Sequence, residues 1–183
     1  AVTSTVAGAI GAMMAEAGIT LDLAPCVDVN SNPANPVIGV RSFGADPALA
    51  ARHGVAFVRG LRAAGVAACA KHFPGHGDTA VDSHLDLPVV AQPLDVVRAR
   101  ELVPFLAVIE AGVDAVMTSH VVVPALDSAP ATLSRRILVD PMLDEHDRRR
   151  PGHADRGEPV KEGARAIGVQ VGRGLVEDEH AGM

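Results

Sequence analysis

The stretch Ala63-Ala64-Gly65-Val66-Ala67-Ala68-Cys69-Ala70-Lys71-His72 reads as a helix end, a reversal, and a buried strand that finishes on two polar groups. A glycine just past the last helical residue takes the left-handed conformation at little cost and so ends the helix. The same signal stands 47 residues away on either side, as Glu16-Ala17-Gly18-Ile19 and Glu110-Ala111-Gly112-Val113. A short apolar run follows each glycine, at 19–24, 66–71 and 113–118, and a helical stretch precedes each. The middle helix opens on Asp46-Pro47, an N-cap followed by proline at the first helical position. It sets Leu49, Phe57, Val58 and Leu61 along one face. The third, 95–111, contains Pro104 and is expected to break or kink there. Met13 and Met14 read as core, and His53 as an exposed mid-helix residue.

Helices alternating with continuously apolar strands predict a parallel sheet buried on both faces, so the fold class is α/β. A period of 47 residues exceeds a bare β/α unit, which leaves long insertions at 25–45, 73–94 and 121–133. All three follow strand C-termini. That is the functional face of a parallel α/β fold, whether barrel or open sheet. Asp28, Arg41, Lys71, His72, His76, Asp82, His84 and His120 all fall at or after those strand ends.

Composition narrows the partners. The 183 residues are 48% hydrophobic and 21% charged, with net charge −6, as in ordinary globular domains. Trp and Tyr are absent and Phe numbers 4, which argues against a nucleic-acid partner, since that needs basic stripes and stacking aromatics. No apolar run reaches the ~18–20 residues of a membrane helix. Cys26 and Cys69 sit in apolar runs and read as buried thiols, not as a disulfide framework. The opening residues lack the basic start of a secretory signal, and the missing initiator Met sets the expectation of an absent N-terminal segment. Residues 1–138 carry 21 charged side chains, whereas the last 45 carry 17 of their own and 7 of the 18 glycines. This divides the chain into a packed domain, 1–138, and a charged, glycine-rich tail, 139–183, expected to be poorly ordered.

The chemistry concentrates in Lys71-His72-Phe73-Pro74-Gly75-His76-Gly77-Asp78-Thr79, followed by Asp82-Ser83-His84. A buried strand ending in Lys-His is costly unless both groups face a polar cleft. Asp82 and His84 suit an acid/base dyad, because a carboxylate on one imidazole nitrogen fixes the tautomer and lets the other nitrogen move a proton near neutral pH. Asp28 is read as orienting the strand-end loop, and Lys71 as pairing with Asp28 or Asp114. His and Asp gathered after a strand also fit a metal-dependent hydrolase. However, His72-x3-His76-x-Asp78 is looser than the His-x-His-x-Asp-His spacing of one common zinc class.

The segments KHFPGHGDT (71–79) and DSH (82–84) resemble glycoside hydrolase family 3, and within it the bacterial β-N-acetylglucosaminidases of the NagZ type. LDLAPCVDVN (21–30), Arg41-Ser42-Phe43-Gly44-Ala45-Asp46 and AGVDAVMTSHVVVPALD (111–127) extend the resemblance over about residues 1–138. It implies part of a (β/α)8 barrel and retaining hydrolysis of a terminal β-linked N-acetylglucosamine, without a cofactor or bound metal. His84 matches the general acid/base, and Asp82 the carboxylate that supports it. Arg41, Lys71 and His72 match residues that hold the sugar. Cell-wall fragments (muropeptides) are the implied substrate, with a cytoplasmic location favoured and an exported one allowed; no oligomeric state follows. The family's acidic upstream motif has no counterpart here. Neither does the later strand bearing the nucleophilic Asp. The expectation is therefore a truncated or frameshifted form, with a non-catalytic sugar-binding remnant as the alternative to an active enzyme.

Overall fold

The computed structural model describes residues 2–81, 86–139 and 165–166. Three helix–strand units carry the architecture. Helix α1 (Val2–Glu16) leads to strand β1 (Leu21–Asp22), and α2 (Pro47–Ala63) to β2 (Ala67–Phe73). A third helical stretch leads to β3 (Ala115–Thr118). Gly18, Gly65 and Gly112 have φ of +78°, +79° and +80°. After each, the next residue's N–H reaches back to the helix: Ile19 to Met14 O at 2.9 Å, Val66 to Leu61 O at 3.1 Å, and Val113 to Val108 O at 3.0 Å. These are three copies of one helix-ending motif, so the 47-residue period is structural.

The strands are parallel, in the order β1-β2-β3-β6, where β6 is the pair Arg165–Ala166 beside β3. β1 pairs Leu21 and Asp22 with Ala67 and Ala68, and contact with β2 continues beyond it through Cys69 N to Ala24 O at 2.9 Å and the bridge between Cys26 and Lys71. The regular strand is thus shorter than the expected run 19–24. The other tail residues, 140–164 and 167–183, lie outside the described residues, and so does the expectation that they are poorly ordered.

Asp46 caps α2 by accepting from Ala48 N at 2.9 Å, with Pro47 at the first position. α1 crosses α2 at close range. A Cβ on Gly60 would stand 2.7 Å from that of Ala7, and one on Gly11 would stand 2.8 Å from that of Ala64. Met14 packs at the edge of the main core, but Met13 is 71% exposed, contrary to expectation. The physical reason is that small residues, Ala7 and Gly11, hold the inward stripe of α1, and Met13 lies off it. His53 is also corrected. It is half-buried, its Nδ1 lies 2.7 Å from Thr3 Oγ1, and its ring stacks on Phe43 at 5.0 Å. A polar side chain on the α1-facing side of α2 found partners across the helix pair.

The main core joins Val27, Val58, Leu61, Ala68, Ala70, Phe105, Val108 and Val116 between sheet and helices. Gly54 belongs to that fit, since a Cβ there would come within 2.8 Å of Val27 and 3.0 Å of Val108. The third helix is interrupted, as expected, but upstream of Pro104. A turn, α3 (Leu94–Val96), runs through a π turn (Val97–Glu101) into α4 (Leu102–Glu110). Pro104 sits in the first turn of α4, directly after the π turn. A small hairpin, β4 (Val122–Val123) and β5 (Asp127–Pro130), and a short helix, α5 (Arg135–Val139), follow β3. Val121 and Val123 join Val90, Val97 and Leu102 in a second apolar cluster. Phe73 touches both clusters and meets Phe105 edge-on at 5.3 Å. No described helix is long and apolar enough to cross a membrane.

Candidate active site

The strand ends meet at Asp28. Its carboxylate is fully buried, in the loop after β1, and four donors converge on it. His76 N donates to Oδ1 at 2.7 Å, while His72 N (3.1 Å), His72 Nδ1 (2.7 Å) and the Cys26 thiol (3.1 Å) reach Oδ2. Burial alone would push the Asp28 carboxyl up. The hydrogen bond and charge of His72 and the His76 amide outweigh it and hold the carboxyl below the usual range. An ionised carboxylate only accepts, so Nδ1 of His72 carries the proton of their bond and Nε2 is left as the ring's other polar atom. The β2–β3 register shifts between Lys71 and Phe73, a bulge at His72, and pairing resumes between Phe73 and Thr118.

The loop beyond is locked from beneath. Asn35 Nδ2 donates to His76 O at 2.8 Å and to Thr79 O at 2.9 Å, while its Oδ1 accepts from Val37 N and Ile38 N. Thr79 Oγ1 lies 2.7 Å from His76 Nδ1. Gly77 passes so close to the β1 loop that a Cβ would fall 1.8 Å from Val29 O, so only glycine fits there. A Cβ on Gly75, with φ +130°, would meet Glu101 Oε2 at 2.8 Å.

Of the expected sugar-holding residues, Lys71 and His72 stand together at the end of β2, both half-buried. The described ion pairs of Asp28 and Asp114 go to His72 and Arg62, so Lys71 makes neither expected pair. Arg41 lies exposed at the end of a 3-10 turn (Gly39–Arg41), and its Nη2 donates to Val37 O at 2.8 Å. Its charge is felt at the Cys26 thiol beside Asp28. His120 is half-buried just past β3. Asp82 and His84 lie outside the described residues. Cys26 and Cys69 are buried free thiols, as expected.

Reading the sequence missed Asn35, Arg100 and Glu101. Asn35 left one signal, its place between Pro33 and Pro36, which marks a fixed turn. Arg100 Nη2 donates to Asp78 Oδ2 at 2.8 Å, and its Nε to Glu101 Oε1 at 2.6 Å. Glu101 is 1% exposed, and burial, opposed in part by Arg100, pushes its carboxyl up to about 7. Between pH 4.5 and 7 the folded chain thus holds a proton that the unfolded chain has released. The stability tied to Glu101 is complete below the unfolded value and is lost as pH rises through about 7. Glu101→Gln should remove this slope. The wild type should lose up to ~3 kcal/mol relative to the variant across that window, read from urea midpoints between pH 4.5 and 8. Parallel profiles for the two proteins would refute it.

Cys26, Asp28 and His72 place three ligand-type atoms within 4.8 Å of one another. Those atoms bond each other instead. Burial and Asp28 push the Cys26 thiol far up, away from the thiolate that a metal needs. His76 Nδ1 and the Asp78 carboxylate are engaged by Thr79 and by Arg100 and Gln92.

Residues 2–146 match the glycosyl hydrolase family 3 N terminal domain. The chain belongs to that family. It is 44% identical over 153 residues to beta-hexosaminidase A of Pseudoalteromonas piscicida, covering 76% of this chain and 26% of the relative. The family 3 beta-N-acetylglucosaminidase of Paenibacillus sp. superposes with a TM-score of 0.75 at 47% identity, over 79% of this chain and 28% of that one. NagZ of Neisseria gonorrhoeae, solved in complex with N-trifluoroacetyl-D-glucosamine, superposes with a TM-score of 0.74 at 37% identity, over 78% and 42%. The family 3 chain described here thus spans under half the length of these relatives. Its parallel β/α units form part of the family 3 barrel.

Proposed function

We propose that this chain carries the sugar-binding and proton-transferring face of a retaining β-N-acetylglucosaminidase. The observation that carries the reading is the 72–79 loop locked over Asp28. Preorganised placement of reacting groups is where such enzymes gain rate, and this loop leads directly into Asp82-Ser83-His84. In the reading, Arg41, Lys71 and His72 hold the sugar's hydroxyls. His84 gives its proton to the leaving oxygen and later takes one from water, and Asp82 holds the imidazole for both steps. Terminal N-acetylglucosamine is the sugar. Cell-wall fragments are the wider substrate, and a cytoplasmic location is favoured. Domain 1–138 does this work, with 139–183 as an appended tail.

Retention also needs a carboxylate that attacks the anomeric carbon opposite the proton donor. The candidates past Leu138 are Asp140, Asp144, Asp147, Asp155 and Asp178; Asp140 follows the apolar run Ile137-Leu138-Val139, but that run is helix α5 and not a strand. The residues of this chain are thus proposed to supply the sugar-binding and proton-transferring face and not the nucleophile. Purified chain assayed on an aryl β-N-acetylglucosaminide should turn over far more slowly than a full-length relative, be indifferent to EDTA, and gain rate from azide or formate standing in for the carboxylate. Turnover abolished by EDTA would favour a metal-dependent hydrolase. A relative's full rate would place a nucleophile within this chain, and no turnover even with azide would favour a sugar-binding remnant.

A further inference from the structure

The two polar side chains at the end of β2 differ in what they can offer a ligand. Lys71 is half-buried yet makes no hydrogen bond or ion pair with a described residue. Its ammonium can only donate. His72 spends Nδ1 on Asp28, and its Nε2 bonds no described residue. Consecutive side chains of a regular strand go to opposite faces, and the bulge at His72 breaks that alternation beside Lys71.

What Nε2 offers is decided at the other ring nitrogen. A neutral imidazole carries one proton, and the hydrogen bond made by one nitrogen sets which of them holds it. Asp28 is fully buried, and its carboxyl is held below the usual range, so it accepts only. Its Oδ2 takes both the main-chain N–H of His72 at 3.1 Å and the ring at 2.7 Å, which fixes backbone and imidazole to one atom. Its Oδ1 is occupied by His76 N. Its main-chain oxygen accepts from Ser42 Oγ at 2.7 Å, beside Arg41, through a bond that no side-chain substitution at 28 removes.

We propose that Asp28 is a positioning residue that holds His72 with its proton on Nδ1, so that Nε2 accepts while Lys71 donates, and the pair reads one sugar hydroxyl in both of its hydrogen-bonding roles. This rests on the sugar-binding reading given above. A hydroxyl both donates and accepts, so it satisfies the two groups together. A fluorine on the same carbon cannot donate and leaves Nε2 unpaired.

Nitrogen NMR of the full chain with labelled imidazoles tests the ring. Where the ring is neutral, wild-type His72 should show a protonated Nδ1 and a bare Nε2. In Asp28→Asn a single carboxamide oxygen replaces two acceptors, and the ratio of the Nε2-protonated form to the other should rise about 10-fold or more. A proton on Nε2 in the wild type, or an unchanged ratio in Asp28→Asn, overturns the proposal, because a loss of stability alone does not move a tautomer ratio. Titration with N-acetylglucosamine and its monodeoxyfluoro analogues tests the hydroxyl. One analogue should bind the wild type about 10-fold or more weakly than the parent sugar, and that penalty should shrink to within about 2-fold in His72→Ala. Equal binding of every analogue, or a penalty kept in full by His72→Ala, overturns the pair. No binding of N-acetylglucosamine itself removes the sugar reading and the hydroxyl with it, while the ring spectrum still decides whether Asp28 fixes His72.

Discussion

Asp28→Ala is expected to cost about 3–5 kcal/mol of folding stability, the usual penalty for emptying one side of a buried charged network. The magnitude follows from what is left behind. The His72 and His76 amides, the His72 ring and the Cys26 thiol all donate to one fully buried carboxylate. Without it, two backbone N–H groups and a ring N–H lose their acceptor, and the His76 amide loses it in a buried position. Asp28→Asn keeps the shape but sets an NH2 against some of these donors, so it should also destabilise, by less. Urea unfolding at pH 7 measures both, and a loss under ~1 kcal/mol for Asp28→Ala would remove Asp28 from the centre of the site. The pH dependence has a definite sign. The Asp28 carboxyl is held below its usual value, so its stabilisation is present above the unfolded carboxyl's pKa and is lost as pH falls through the lower folded one. The wild type should therefore lose stability in acid more steeply than Asp28→Asn.

His84→Ala is expected to lower azide-assisted turnover of the chain, or the turnover of a complete barrel containing it, by ~10²–10⁴-fold, the usual worth of a general acid/base. The loss should depend on the leaving group. An activated aryl oxide needs little protonation as it departs, whereas an alkoxide from a second sugar needs a great deal. The glycosylation step should therefore suffer less with the activated substrate. Asp82→Asn should act in the same direction more weakly, by loosening the imidazole and removing its charge support. Equal losses for good and poor leaving groups would count against His84 as the proton donor.

The sequence by itself determined the periodic part of the molecule. Gly18, Gly65 and Gly112 recur because a left-handed residue is needed wherever a helix hands over to a strand, and that need is local. The parallel strands, the buried thiols and the gathering of polar residues at strand ends follow from the same local signals. The KHFPGHG segment was legible because Pro74, Gly75 and Gly77 constrain the backbone wherever they stand. Tertiary structure alone decided which groups these constraints bring together. Nothing near Asn35 or Glu101 in the chain announces that one will fasten His76 and Thr79 and the other will lie beneath Gly75. Both act on a loop more than 20 residues away, across contacts that exist only once the sheet has formed. The exposure of Met13 and the burial of His53 were hidden for the same reason. A helix face becomes interior only when a neighbour covers it, and α1 and α2 cover each other through Ala7, Gly11 and Gly60. Spacing along the chain fixes which residues share a face. Packing fixes which face is dry, and with it which polar side chains must find partners.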